Sequence, residues 1–309
     1  MSEETSSKHK GLGTLILAVI FLAIIISIIM VPNTTASLRE NEASVIESFT
    51  FSHSAFEKAV LQAEVAYIEN LETGEALYQN NAHIVSPLAS LTKIMTTYTA
   101  LSVFPEGARI TIEESDLEAE GDHGLVPGEE WSVRDLLTFM LIASANDAAL
   151  AIERAGSKYT GELTFAEYMT KQAHELGFDS LSFQNASGLD LDEAGTLPSA
   201  LGNAEDLTKL FSLVYKQYPD IFDATKKQVV TFSSSEREHT AQNTNTELHR
   251  MPGVIGSKTG YTNTAGGNLS VIAEVNGIPH VVTVLQSTRG GRFEDVEEII
   301  GLIGEENND

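Results

Sequence analysis

The sequence contains no cysteine in 309 residues. That excludes disulfides, thiolate zinc sites, iron–sulfur clusters and a cysteine nucleophile. Basic residues are scarce. Lys and Arg total 19 against 44 Asp and Glu, a formal net charge of −25. Nucleic-acid affinity comes from neutralising phosphates with Lys and Arg, so no nucleic-acid partner is expected. The acidity reads as a solvated, self-repelling surface. The histidines are scattered, with no HExxH-like spacing, so neither a metal nor another cofactor is expected.

One long apolar run is present. Residues 12–31 read LGTLILAVIFLAIIISIIMV and hold no charge. As a helix the run spans ~30 Å, the thickness of a bilayer core. Lys8 and Lys10 precede it and Pro32 closes it. The positive-inside rule keeps residues 1–11 in the cytoplasm. The expectation is a single-pass anchor in the cell membrane, with everything after it outside. A cleaved signal peptide ending near Thr34-Thr35-Ala36 is the competing reading, although signal cores are usually about 7–15 residues. Both readings export the rest of the chain. Residues 32–55 are polar and read as an extracytoplasmic stalk. Residues 56–309 read as one folded domain without internal repeats.

Within that domain, Glu64 to Asn70 and Ala76 to Tyr78 flank a turn and form a hairpin candidate. Leu91, Ile94, Met95, Tyr98 and Leu101 mark one helical face. Ser132 to Arg154 reads as a further helix, with Leu136, Leu137, Met140 and Leu141 on its buried side. Phe165 to Leu176 and Ala204 to Tyr215 are also helical in pattern. Leu269, Val271, Ala273 and Val275 alternate. Asn276-Gly277 then signals a tight hairpin into Val281 to Leu285. Phe293, Val296, Ile300 and Ile303 make a closing amphipathic helix. Strands at both ends with helices between them predict an α+β domain with one antiparallel sheet and a helical insert.

Three short motifs carry chemistry. In Ser90-Leu91-Thr92-Lys93 the i and i+3 residues share a helical face. Lysine can activate a serine hydroxyl once burial or a nearby cation lowers its pKa. A helix start also offers backbone N–H groups to an oxyanion. Ser144-Ala145-Asn146 offers a hydroxyl and an amide to shuttle a proton and hold a peptide group. Lys258-Thr259-Gly260 offers a cation and a hydroxyl to a carboxylate, with a glycine that lets substrate backbone approach. Each motif alone has a bland reading: a chance spacing, a helix cap, a turn before a strand.

In this order the three form the constellation of penicillin-binding proteins and serine β-lactamases. The segments Pro87 to Thr96, Asp135-Leu136-Leu137 with Ser144 to Ala149, Asn185 to Asp190, and Lys258 to Thr262 with Ala265 to Leu269 resemble the low-molecular-mass D-alanyl-D-alanine carboxypeptidases. The likeness runs from about residue 60 to 300. It implies a five-stranded antiparallel sheet flanked by helices, plus an all-helical subdomain, with the site between them. It implies that Ser90 attacks the carbonyl of a terminal D-Ala-D-Ala bond in a peptidoglycan stem peptide. Lys93 takes the proton, with Lys258 depressing its pKa. Ser144 relays a proton to the leaving D-alanine. Asn146 holds the substrate amide and steadies Lys93. Lys258 and Thr259 receive the terminal carboxylate, with Arg292 as a weaker carry-over. The N–H groups of Ser90 and Tyr261 form the oxyanion hole. β-Lactams would acylate Ser90.

The sequence departs from the family in places. Ala145 stands where glycine is common. The chain stops soon after the closing helix, so membrane attachment is expected at the amino end. No Glu-x-x-Leu-Asn motif follows Ser-x-Asn, which argues against a class A β-lactamase. A D,D-endopeptidase and a catalytically silent peptidoglycan or β-lactam binder are the alternatives. The substrate end is anionic, so Lys93, Lys258 and Arg292 must make a locally positive pocket. Screening beyond ~8–10 Å allows that on an acidic protein.

Overall fold

In the computed structural model the described residues are 50–306, apart from 53, 122 and 193. The apolar run 12–31 lies outside them. Among the described residues no helix is long and apolar enough to cross a membrane.

The main sheet is antiparallel and six-stranded. Its strands are β1 (Thr50–Ser52), β2 (Val65–Asn70), β3 (Ala76–Asn80), β4 (Val254–Thr262), β5 (Gly266–Val275) and β6 (Ile278–Ser287). The order across the sheet is β1-β3-β2-β6-β5-β4. Both ends of the chain therefore supply strands, as the sequence pattern predicts. The expected five strands are β2 to β6. The extra one is β1, three residues from the stretch read as a stalk, whose backbone pairs with β3. A short polar segment carries no period that would signal such pairing. At the β5–β6 turn, Asn276 (φ 54°) and Gly277 (φ 81°) are both left-handed. That is the geometry a two-residue hairpin requires.

Alternation along β5 explains the layers. Leu269, Val271 and Ala273 pack with Val282, Val284, Val296 and Ile299 on one face. That face is covered by the closing helix, Gly291–Glu306. On the other face Ile272 joins Val281 and Leu285 in the larger core. There Ser270, Thr283 and Thr208 form a buried hydroxyl chain, with bonds of 2.8 and 2.7 Å. Burying both faces at roughly 25 cal/mol per Å2 of apolar surface stabilises the sheet as the frame of the molecule.

The insert is helical: α1 (Thr92–Val103), α2 (Val133–Ala143), α3 (Asn146–Gly156), α4 (Phe165–Glu175), α5 (Ala204–Gln217) and a short α6 (Pro219–Asp223). The closing helix is α7. Leu136, Leu137, Met140 and Leu141 are buried as expected. The single helix expected over Ser132 to Arg154 is broken in two. Ser144 has φ 56° and ends α2, and Asn146 starts α3. In a continuous helix these residues, two apart, would point away from each other. The break lets both side chains reach the site. Ala145 has φ −61°, so nothing in the backbone demands glycine there.

Candidate active site

The three motifs converge. Ser90 sits in a 3-10 turn, Ala89–Leu91, that runs into α1. The residue before it, Ala89, is left-handed at φ 49°. Strain of this kind on a non-glycine residue costs roughly 1–3 kcal/mol and persists only where neighbours enforce it. Those neighbours are clear. Thr92 Oγ1 donates to the Ala89 carbonyl at 2.7 Å. Asn268 Nδ2 donates to the carbonyls of Pro87 (2.9 Å) and Leu88 (3.2 Å), tying the turn to β5. Gly188, at φ 78°, presses against the same turn. A Cβ there would lie 2.0 Å from the Ala89 oxygen.

Lys93 is fully buried, and its amine reaches three acceptors. They are Ser90 Oγ at 2.9 Å, Asn146 Oδ1 at 2.8 Å and the Ser187 carbonyl at 2.6 Å. Burial pushes its pKa down to about 7, against an opposing pull from the Asp147 charge. A neutral amine has two hydrogens and one lone pair. With Asn146 and Ser187 taking the hydrogens, the lone pair faces the Ser90 hydroxyl. The arrangement makes Lys93 a base for Ser90.

Lys258 is also buried. It donates to Ser144 Oγ at 2.9 Å and to its neighbour's carbonyl, Thr259 O, at 2.8 Å. Burial pushes its pKa well down, and the charges of Lys93 and Arg292 push further. Burial is the main cause for both lysines, and the two amines face each other as like charges when both are protonated. A carboxylate arriving beside Lys258 would favour its charged form.

Thr259 Oγ1 lies 2.6 Å from Thr244 Oγ1, and with Thr244 as the donor the Thr259 hydrogen is left for a ligand. Arg292, at the start of α7, is buried and donates from Nη1 to the Gly260 carbonyl at 2.5 Å. Burial, and then the Arg289 charge, lower its pKa to about 10, so it stays charged at neutral pH. Gly260 also packs closely within the chain. A Cβ there would lie 3.0 Å from the Leu88 oxygen and 3.3 Å from Leu91 N. Its bareness makes room for the chain's own nucleophile turn. Tyr261 is half-exposed at the open end of β4, with the Arg289 guanidinium 5.0 Å from its ring centre.

The structure thus gathers Ser90, Lys93, Ser144, Asn146, Lys258, Thr259, Gly260 and Arg292 through direct contacts. Sequence reasoning missed the Ser187 carbonyl, Thr244 and Asn268. Ser187 and Asn268 lay inside segments that resemble the family, but the contacts they make cross long stretches of chain. Thr244 stands in no motif. Among the described residues no cluster of three or more His, Asp or Glu side chains is gathered as a metal site.

A serine hydroxyl against a buried lysine, with a second serine–lysine pair beside it in an α+β frame, defines a serine hydrolase of the penicillin-binding-protein type. The chain belongs to the D-alanyl-D-alanine carboxypeptidase family, whose profile matches residues 52–289. It is 32% identical over 261 residues to the Bacillus subtilis D-alanyl-D-alanine carboxypeptidase DacF, across 74% of this chain. The chain spans 62% of that relative's length. It is 31% identical to an Escherichia coli D-alanyl-D-alanine endopeptidase, across 72% of this chain and 70% of that protein. A Listeria monocytogenes penicillin-binding protein solved with cefotaxime bound matches with a TM-score of 0.68 at 32% identity. That match covers 79% of this chain and 98% of the other.

Proposed function

We propose that the protein is a serine-type D-alanyl-D-alanine carboxypeptidase acting on peptidoglycan stem peptides. The observation that carries this reading is the Lys93 amine, held 2.9 Å from Ser90 Oγ with its other two directions occupied. The terminal carboxylate docks against Lys258, Thr259 and Arg292. Lys93 removes the hydroxyl proton as Ser90 Oγ bonds to the carbonyl carbon of the penultimate D-alanine. The N–H groups of Ser90 and Tyr261 receive the developing oxyanion. Ser144, bonded to Lys258, passes a proton to the departing amine and is refilled with the proton that Lys93 took, so D-alanine leaves and the Lys93 amine is neutral again. Asn146 is shared between Lys93 and the substrate amide. Water then attacks the acyl-enzyme, with the Lys93 site again taking a proton, and frees Ser90. β-Lactams, which resemble the D-Ala-D-Ala end, form the same ester at Ser90 and hydrolyse slowly.

A second reading is a D,D-endopeptidase that cuts cross-links, and relatives bearing that name support it. The chemistry at Ser90 is identical, and only the group beyond the scissile bond differs. The apolar run 12–31 supports a single-pass membrane anchor with the catalytic domain outside the cell.

The test is D-alanine release from a stem pentapeptide ending in D-Ala-D-Ala, for the protein and for Ser90→Ala. Release by the first alone is expected. No release by either, with cleavage of cross-linked muropeptide, would replace the carboxypeptidase with the endopeptidase. Protease digestion of intact cells tests the topology, since an external domain is degraded and a cytoplasmic one is not.

A further inference from the structure

The Ser187 carbonyl is the least expected of the three Lys93 partners, because a backbone oxygen has to be aimed. Its peptide neighbour shows how. Ala186 N–H donates to Glu153 Oε2 at 2.9 Å, and the Ala186 carbonyl accepts from Thr96 Oγ1 at 2.7 Å. Glu153 stands on α3, the helix that begins with Asn146. The next residue, Arg154, bonds both oxygens of the buried Asp116 at 2.8 Å and so clamps that part of the helix. On the far side, Asn185 Oδ1 accepts from Gly188 N–H at 2.7 Å and closes the turn around Ser187. Burial pushes the Glu153 carboxyl pKa up, and the Ala186 N–H opposes this. The carboxylate is therefore held there at a cost, for a single backbone bond.

We propose that Glu153 is a positioning residue for acylation: through the Ala186 N–H it aims the Ser187 carbonyl that turns the Lys93 lone pair toward Ser90. Without that carbonyl the amine is free to rotate, and misplacement of a reacting group by about 1 Å costs on the order of 100-fold in rate. The carbonyl also favours the charged amine, so its loss makes Lys93 easier to deprotonate. The groups that face Lys93 are otherwise unchanged: Asp147 from α3 and Lys258 from β4, with Arg292 behind Lys258 and the His123 ring 3.3 Å from Asp147. The inference rests on the Ser90–Lys93 reading above.

The experiment is the pH dependence of acylation by a fluorescent penicillin, with melting temperatures, for the wild type, Glu153→Ala, Glu153→Met and Glu153→Gln. Methionine keeps the volume without an acceptor. Glutamine keeps the acceptor without a charge. The expected result is acylation slowed about 10- to 100-fold in the alanine and methionine variants. Their acidic limb should move to lower pH, and glutamine should restore both rate and limb. If alanine prevents folding, methionine carries the comparison. A slowed rate with a lowered melting temperature but an unmoved limb would reduce Glu153 to a structural group and overturn the proposal. So would a glutamine variant that behaves like alanine. No acylation of the wild type would overturn the Ser90–Lys93 reading and this inference with it. Wild-type acylation with an unmoved limb in the variants would overturn this inference alone.

Discussion

Lys258 Nζ lies 2.9 Å from Ser144 Oγ, joining the sheet-edge strand β4 to the break between α2 and α3. Ser90 and Lys93 repeat the pairing at the same distance of 2.9 Å. Two hydroxyls are thus each held by a buried amine. In the proposed reaction the Ser90–Lys93 pair starts the acyl transfer and the Ser144–Lys258 pair serves the leaving group.

Replacing the Lys93 amine should stop acylation even if charge is kept. Lys93→Arg leaves a guanidinium that cannot act as a base at neutral pH. The expected loss is about 100- to 10,000-fold, the usual worth of a general base. Stopped-flow acylation by a chromogenic cephalosporin reads it. In the wild type the rate should fall as pH drops below about 7, where the buried amine takes up its proton. A flat profile between pH 5 and 8 would exclude Lys93 as the base.

The same group makes stability depend on pH in a defined direction. The Lys93 pKa is lowered from 10.5 to about 7 in the folded state. Between these values the unfolded chain binds more protons, so stability rises with pH across that window. The melting temperature of the wild type should therefore gain on that of Lys93→Met as pH rises from 7 to 10. Calorimetry on the two proteins checks this, and a gap that narrows with pH would contradict it.

Gly188→Ala should damage both folding and activity. The backbone is left-handed at φ 78°, and the new methyl would meet the Ala89 oxygen at 2.0 Å and Thr92 Oγ1 at 2.7 Å. Left-handed strain of about 1–2 kcal/mol adds to overpacking of about 1–3 kcal/mol. A loss of roughly 3 kcal/mol in a denaturant titration is expected. Acylation at Ser90 should fall with it, because the methyl pushes on the residue before the nucleophile.

Thr259→Val should weaken substrate binding more than turnover. The Thr259 hydroxyl shares a 2.6 Å bond with Thr244, and with Thr244 donating, its own hydrogen can go to a carboxylate. A hydrogen bond to a charged group contributes about 1.5–3 kcal/mol. KM for a D-Ala-D-Ala peptide should rise about tenfold or more, with a smaller change in kcat. An unchanged KM would move carboxylate recognition to Lys258 and Arg292 alone.

Much of this was legible in the residues. The alternation of Leu269, Val271 and Ala273 is a local property of β5, and it marked the strand. Asn276-Gly277 predicted its own hairpin, because only residues tolerant of positive φ make that turn. Ser90 and Lys93 share a helical face whatever surrounds them. The motifs offered a serine with a lysine in reach and a second lysine beside a threonine hydroxyl, and the resemblance to the family implied their roles.

The tertiary structure decided the rest. Nothing local broke the helix at Ser144. That residue takes φ 56° where its hydroxyl meets Lys258, more than a hundred residues away in sequence. The depressed Lys93 pKa comes chiefly from burial, which no motif records. Gly260 is bare for the sake of the chain's own turn at Leu88. The Ser187 carbonyl, the Glu153 carboxylate that accepts from the Ala186 N–H, and Thr244 are placed by packing between segments distant in sequence. Side-chain type and local spacing determine which chemistry is available, whereas the aim and acidity of each group depend on long-range contacts and solvent exclusion, which exist only once the chain has folded.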